Sequence, residues 1–137
     1  MAAKTFHLEI VTPQGMLFDA DVQSFSAPGF MGAFQVLANH APLLASLTVG
    51  EVKLSGVDGR NTRFSTSGGF VEVLGNKVVM VAETAERADE IDVARAQMAA
   101  DREKERLAGR PGEAERELAR AALQRALNRL KVAGRAR

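Results

Sequence analysis

The sequence predicts an α+β fold: an N-terminal antiparallel β-sandwich, or flattened barrel, followed by a C-terminal two-helix α-hairpin. Three observations carry this expectation. Up to about residue 84, apolar and polar residues alternate in short runs, the period of half-buried strands. Gly, Pro, Asn and Asp punctuate those runs, as expected of many short strands joined by turns. Beyond Thr84, glycine and β-branched residues thin out, and Ala, Glu and Arg dominate. The expected units are residues 1–86 for the sandwich and 87–137 for the hairpin.

The first strand is "TFHLEIV", residues 5–11. Phe6, Leu8 and Ile10 fall on one face, and His7 and Glu9 on the other. Later, "EVKLSGV" puts Val52 and Leu54 on one face, and "RNTRFST" alternates through Thr62, Phe64 and Thr66. Asp58-Gly59 between those runs signals a hairpin, because a tight turn needs positive φ. Gly75-Asn76 repeats the device between residues 70–74 and 77–83. Gly68-Gly69 reads as one more turn signal. On the helical side, Asp89 is the expected N-cap, with Asp92 three residues on in a capping-box position. The first helix then runs to about Leu107, where Gly109, Pro111 and Gly112 must break it. A second runs from Glu113 to about Ala133, with Ala119, Leu123, Ala126, Leu127 and Leu130 as its packing stripe.

Composition narrows the function. The chain has 137 residues, 46% hydrophobic and 26% charged, enough for a packed core. It has no cysteine, which excludes disulfides, thiolate metal sites and a Cys nucleophile. No apolar run approaches the ~18 residues of a membrane span. The start of the chain has no signal or transit character, so a cytosolic site of synthesis is expected. No phosphate-binding P-loop and no nucleophile elbow occur, and His7 and His40 have no metal-ligand spacing. These absences argue against an enzyme. Net charge is only +1, yet residues 83–105 carry eight acids against four bases, and residues 116–137 carry seven bases against one acid. A basic final helix implies an acidic partner surface, nucleic acid or a membrane face, unless it is simply a solvated face.

One helix face holds Asp92, Arg95, Ala99 and Arg102, with Ala96 on its flank. Two guanidinium forks can share a polyphosphate, alanines leave room for a base or ribose, and an acid can accept from a hydroxyl or amine. Against this stands the plain reading, a capping Asp92 with an exposed salt partner in Arg95, worth little. Arg125 and Arg129, four apart on the second helix, form another cationic pair.

Five stretches go further: "FHLEIVTPQG", "NHAPLL" (39–44), "SGGFVEV" (67–73), "IDVARA" (91–96) and "ALNRL" (126–130). In these, and in their order, the chain resembles the epsilon subunits of bacterial F-type ATP synthases. The resemblance implies a non-catalytic subunit of the central stalk. Its sandwich would bind the gamma subunit and the membrane rotor ring of c subunits. It would couple proton-driven rotation to ATP synthesis, on the cytoplasmic face of the bacterial cell membrane. The hairpin would fold down, or extend toward the alpha and beta subunits and inhibit ATP hydrolysis. One copy per complex is implied, with no homo-oligomer and no nucleic-acid partner. "IDVARA" matches the family's ATP-binding signature in full and nominates Asp92, Arg95 and Ala96, with Glu86, Arg102, Arg125 and Arg129 assisting. ATP would be a regulatory ligand, not a substrate, and no metal is required. The rotor-ring contact would fall on Phe30, Met31, Gly32, Ala33, Phe34 and His40. Here the sequence departs from the family. A Gly-Glu-Leu stretch is replaced by Gly32-Ala33-Phe34, and Ala38-Asn39 stands where Pro-Gly is usual before the histidine. The contact is therefore expected to be more apolar. The competing reading is a free-standing nucleic-acid-binding module using the basic final helix, although the chain has few aromatic stacking platforms.

Overall fold

The computed structural model describes residues 4–135. The Arg135 side chain and Arg137, counted above among the basic residues, lie outside the described residues. The chain divides into two compact units, Met1–Arg87 and Ala88–Arg137.

The first unit is the β-sandwich. Its strands are β1 (Phe6–Thr12), β2 (Gly15–Gly29), β3 (Gly32–Leu37), β4 (Leu43–Leu47), β5 (Gly50–Gly56), β6 (Asn61–Leu74) and β7 (Lys77–Arg87). All pairings are antiparallel except that of β1 with β7, which is parallel. Strand β1 pairs with both β2 and β7, and β5 joins β2 to β6, so the sheet closes on itself as a flattened barrel. The alternation in β1 is the expected one, with Phe6, Leu8 and Ile10 buried. They meet Phe25, Val36, Leu54, Phe64, Met80 and others in one apolar core. Fully burying a side chain such as Phe25 or Phe64 contributes roughly 1.5–3 kcal/mol.

Both predicted hairpins form, β5–β6 around Asp58-Gly59 and β6–β7 around Gly75-Asn76. Gly75 and Asn76 both have left-handed backbones, φ 60° and 58°, as a two-residue primed turn requires. Gly68-Gly69, expected to be a turn, instead lies inside β6. The two glycines form a bulge at which the register with β7 shifts. The Thr66 hydroxyl donates to the Thr84 carbonyl at 2.8 Å, and its oxygen accepts from the Gly68 amide at 3.2 Å. The bulge therefore keeps its polar groups satisfied, which is why a strand passes through a sequence that reads as a stop.

On the outer face, His7 lies between two carboxylates of β2, with Nε2 2.6 Å from Asp19 Oδ1 and Nδ1 3.0 Å from Asp21 Oδ1. The hydrogen bond to Asp21 raises the imidazole above its ordinary 6.5; desolvation opposes the rise and Asp19 adds to it. The folded protein holds this proton more tightly than the unfolded chain. Its stabilisation is complete below the unfolded value of 6.5 and is lost as pH climbs through the raised folded value. In the presence of a chelator, the denaturation midpoint of the protein is expected to fall across that window, and the fall should vanish in His7→Gln.

The second unit is helical. After a 3-10 turn at Ala88–Glu90 come α1 (Val93–Ala108) and α2 (Glu113–Arg135), packed against each other. Asp92, not Asp89, is the N-cap of α1: its backbone is extended and Oδ1 accepts from the Arg95 amide at 3.0 Å. Asp89 falls in the 3-10 turn, so the helix starts one turn later than the composition shift suggests. The Asp92–Arg95 link is thus a cap to the backbone, with the guanidinium left over. On α2, Ala119 and Ala126 are buried as expected, while Leu127 is 43% exposed and Val132 and Ala133 are buried instead. The buried α2 residues are alanines and a valine, and Leu127 lies outside that set. Among the described residues, no helix is long and apolar enough to cross a membrane.

Candidate functional site

The hairpin carries six of the seven residues nominated for ATP. Two anchors set its register. Ala88 and Ile91 cluster with Val132 and Ala133 at one end, and Glu103 and Arg106 share a cavity with Ala119, Ala122 and Arg125 toward the other. Antiparallel helices fixed at those points bring Arg125 level with the middle of α1 and Arg129 level with its first turn. The buried residues of α1 are Ala96, Ala100 and Glu103, spaced i, i+4, i+7 along the seam. The stripe of Asp92, Arg95, Ala99 and Arg102 flanks that seam as its rim.

Each nominated residue then has a place. Asp92 is exposed at the start of α1, with Oδ1 occupied by the cap. Arg95 is exposed, and its guanidinium makes no ion pair among the described residues. Arg102 is also exposed, with Nε 3.6 Å from Glu103 Oε1. Ala96 is fully buried, so it offers a ligand no open surface in this arrangement; Ala99, half-buried, is the alanine beside the arginines. Arg125 lines a cavity of 670 Å³ together with Glu103, Arg106, Glu115 and Leu118. Arg129 is half-buried and already engaged. Glu86 lies in β7, in the sandwich unit, opposite Ser65, and is likewise engaged. The structure therefore places Asp92, Arg95, Ala99 and Arg102 on α1, and puts Arg125 of α2 in a cavity whose lining includes none of those four. Of the arginines, only Arg95 lies in the first turn of α1, next to the Asp92 cap.

Sequence reasoning missed Glu103 and Arg106. Glu103 is 3% exposed, a carboxylate on an otherwise alanine-lined seam. Its spacing seven residues after Ala96 was the available signal.

A second surface is the tip between β2 and β3. Phe30 and Met31 are 76% and 94% exposed at the turn. With Gly32, Ala33 and Phe34 they border a depression of 520 Å³ that Leu43–Ser46 complete. Leu44, 73% exposed, was not among the expected contacts. His40 does not line the depression; its Nδ1 donates to the Ala41 carbonyl at 2.7 Å. Elsewhere, His7, Glu9 and Asp19 offer three ligand atoms within 4.8 Å of one another, a juxtaposition that linear spacing did not reveal. Lys77 Nζ, 3.0 Å from Glu9 Oε2, already supplies a cation there.

The chain is thus a small β-sandwich with an apolar tip, followed by a helical hairpin bearing exposed arginines. Residues 5–88 match the family described as ATP synthase, Delta/Epsilon chain, beta-sandwich domain, and residues 89–134 match its long alpha-helix domain. The chain belongs to the epsilon-chain family of ATP synthases. It is 45% identical over 133 residues to the ATP synthase epsilon chain of Nitratidesulfovibrio vulgaris strain DP4, covering 97% of this chain and 98% of that one. To that of Syntrophomonas wolfei it is 42% identical, covering 96% of each. In solved structures, a chain of the Euglena gracilis mitochondrial ATP synthase OSCP/F1/c-ring assembly shares the fold, with a TM-score of 0.79 at 22% identity, covering 90% of this chain and 78% of that one.

Proposed function

We propose that this chain is a central-stalk subunit of an F-type ATP synthase whose hairpin binds ATP as a regulatory ligand. The carrying observation is the exposed Arg95–Arg102 rim beside the Asp92 cap, with Arg125 facing the same seam. Family membership supports the stalk role: coupling proton-driven rotation to ATP synthesis, and restraining ATP hydrolysis when the hairpin extends. The apolar tip at Phe30, Met31, Phe34 and Leu44 suits the rotor ring, other faces of the sandwich suit the gamma subunit, and the basic α2 suits acidic surfaces of alpha and beta. The working place is the cytoplasmic face of the cell membrane. ATP is held, not hydrolysed, by this chain. Because ATP engages the closed hairpin, it shifts the balance toward that state only by its differential affinity.

Titrating ATP into the full chain is expected to move amide signals within residues 86–130, and no movement at millimolar ATP would overturn the reading. Arg95→Ala should weaken binding about tenfold, the loss of one charge-assisted contact. Asp92→Ala should also cost the helix about 1 kcal/mol as a lost cap. Asp92→Asn separates the effects: asparagine still caps, so α1 should keep its amide protection while ATP affinity drops.

A further inference from the structure

Two of the three buried residues of α1 are alanines, and the third is Glu103. Its side chain is 4% exposed, and Oε1 lies 3.6 Å from Arg102 Nε and 3.3 Å from Arg106 Nη1. The other oxygen, Oε2, is buried and has no hydrogen-bond partner among the described residues. Arg125 lines the cavity that Glu103 borders. A buried carboxylate thus stands against Arg102, one of the arginines offered to a polyphosphate, with one oxygen shared between Arg102 and Arg106 and the other unpartnered.

We propose that Glu103 is a built-in counter-anion of the nucleotide site, holding Arg102 in the free hairpin and repelling phosphate when ligand arrives. The assignment rests on the ATP reading above and names what limits that affinity. Little water surrounds the carboxylate, so its charge is weakly screened and acts on any anion brought to Arg102 or Arg125. Leaving a buried acceptor unpaired is itself unfavourable, so Glu103 is a poor choice for the seam on stability alone. Its effect must scale with ligand charge, being largest for ATP, smaller for ADP and absent for adenosine. A purely structural role would alter all three alike.

Calorimetric titration of the full chain and of Glu103→Gln with adenosine, ADP and ATP tests this. The expected result is about tenfold tighter ATP binding in the variant, a smaller gain for ADP and none for adenosine. Glu103→Met, of similar volume, provides a second uncharged variant should the first fold poorly. Combining either with Arg102→Ala should erase most of the gain. Equal gains for all three ligands, or no gain, would overturn the counter-anion assignment while leaving the ATP reading intact. Failure of both wild type and variant to bind ATP would remove the ATP reading, and this assignment with it.

Discussion

Gly69→Ala is expected to destabilise the sandwich by about 3 kcal/mol or more, a large share of a small domain's stability. Gly69 has φ +146°, a conformation that side chains avoid. A methyl group there would fall against the Val81 carbonyl and within 2.9 Å of the Ala82 Cα. Both obstacles are backbone of the paired strand β7, so no side chain can turn aside to admit it. The glycine is what lets β6 pass its bulge and still pair with β7. Equilibrium denaturation of the variant should show a much lower midpoint, with loss of the dispersed signals of residues 5–87. A change below about 1 kcal/mol would mean the bulge relocates freely and is not fixed at Gly69.

Ala96→Leu is the second. Ala96 and Ala100 are both fully buried, on the face of α1 that Glu103 continues. Three further carbons at position 96 have no space, and overpacking of this kind costs roughly 1–3 kcal/mol. The helices should part rather than unfold the sandwich, which is a separate unit. Amide exchange should accelerate in α1 and α2 and stay unchanged in β1–β7. ATP affinity should fall together with the protection, although Ala96 itself is hidden from solvent. Loss of affinity with normal protection would instead place Ala96 in contact with the ligand.

Much of the fold was legible because its signals are local. The alternation of Phe6, Leu8 and Ile10 and the Asp58-Gly59 and Gly75-Asn76 turns depend on neighbours in sequence, and each recurs in the structure. Gly68-Gly69 misled because a glycine pair signals a break in the chain or a bulge equally well; the partner strand and the Thr66 hydroxyl decide between them. Asp89 and Asp92 compete as caps on the same grounds, and only the 3-10 turn at Ala88–Glu90 separates them. At the candidate site, helical geometry found the arginine rim. It could not show which flank faces the neighbouring helix, so Ala96 seemed open and Glu103 went unnoticed. Leu44 was hidden because strand β4 completes the depression beside the β2–β3 turn, a juxtaposition set by the sheet and not by local sequence.

The parallel pairing of β1 with β7 has a bearing on how the chain acquires its shape. Asn76 donates to the Thr5 carbonyl across a sequence separation of 71 residues, and β1 lies beside β7 along its length. The first strand to leave the ribosome therefore waits for the last before the barrel can close. Contacts so remote in sequence form slowly, whereas the helical hairpin is built from neighbours and forms fast. Until β7 emerges, one side of β1 is an open edge able to pair with strands of other chains. The aggregation hazard during synthesis is thus greatest while residues 77–81 of β7 have yet to emerge and cover β1.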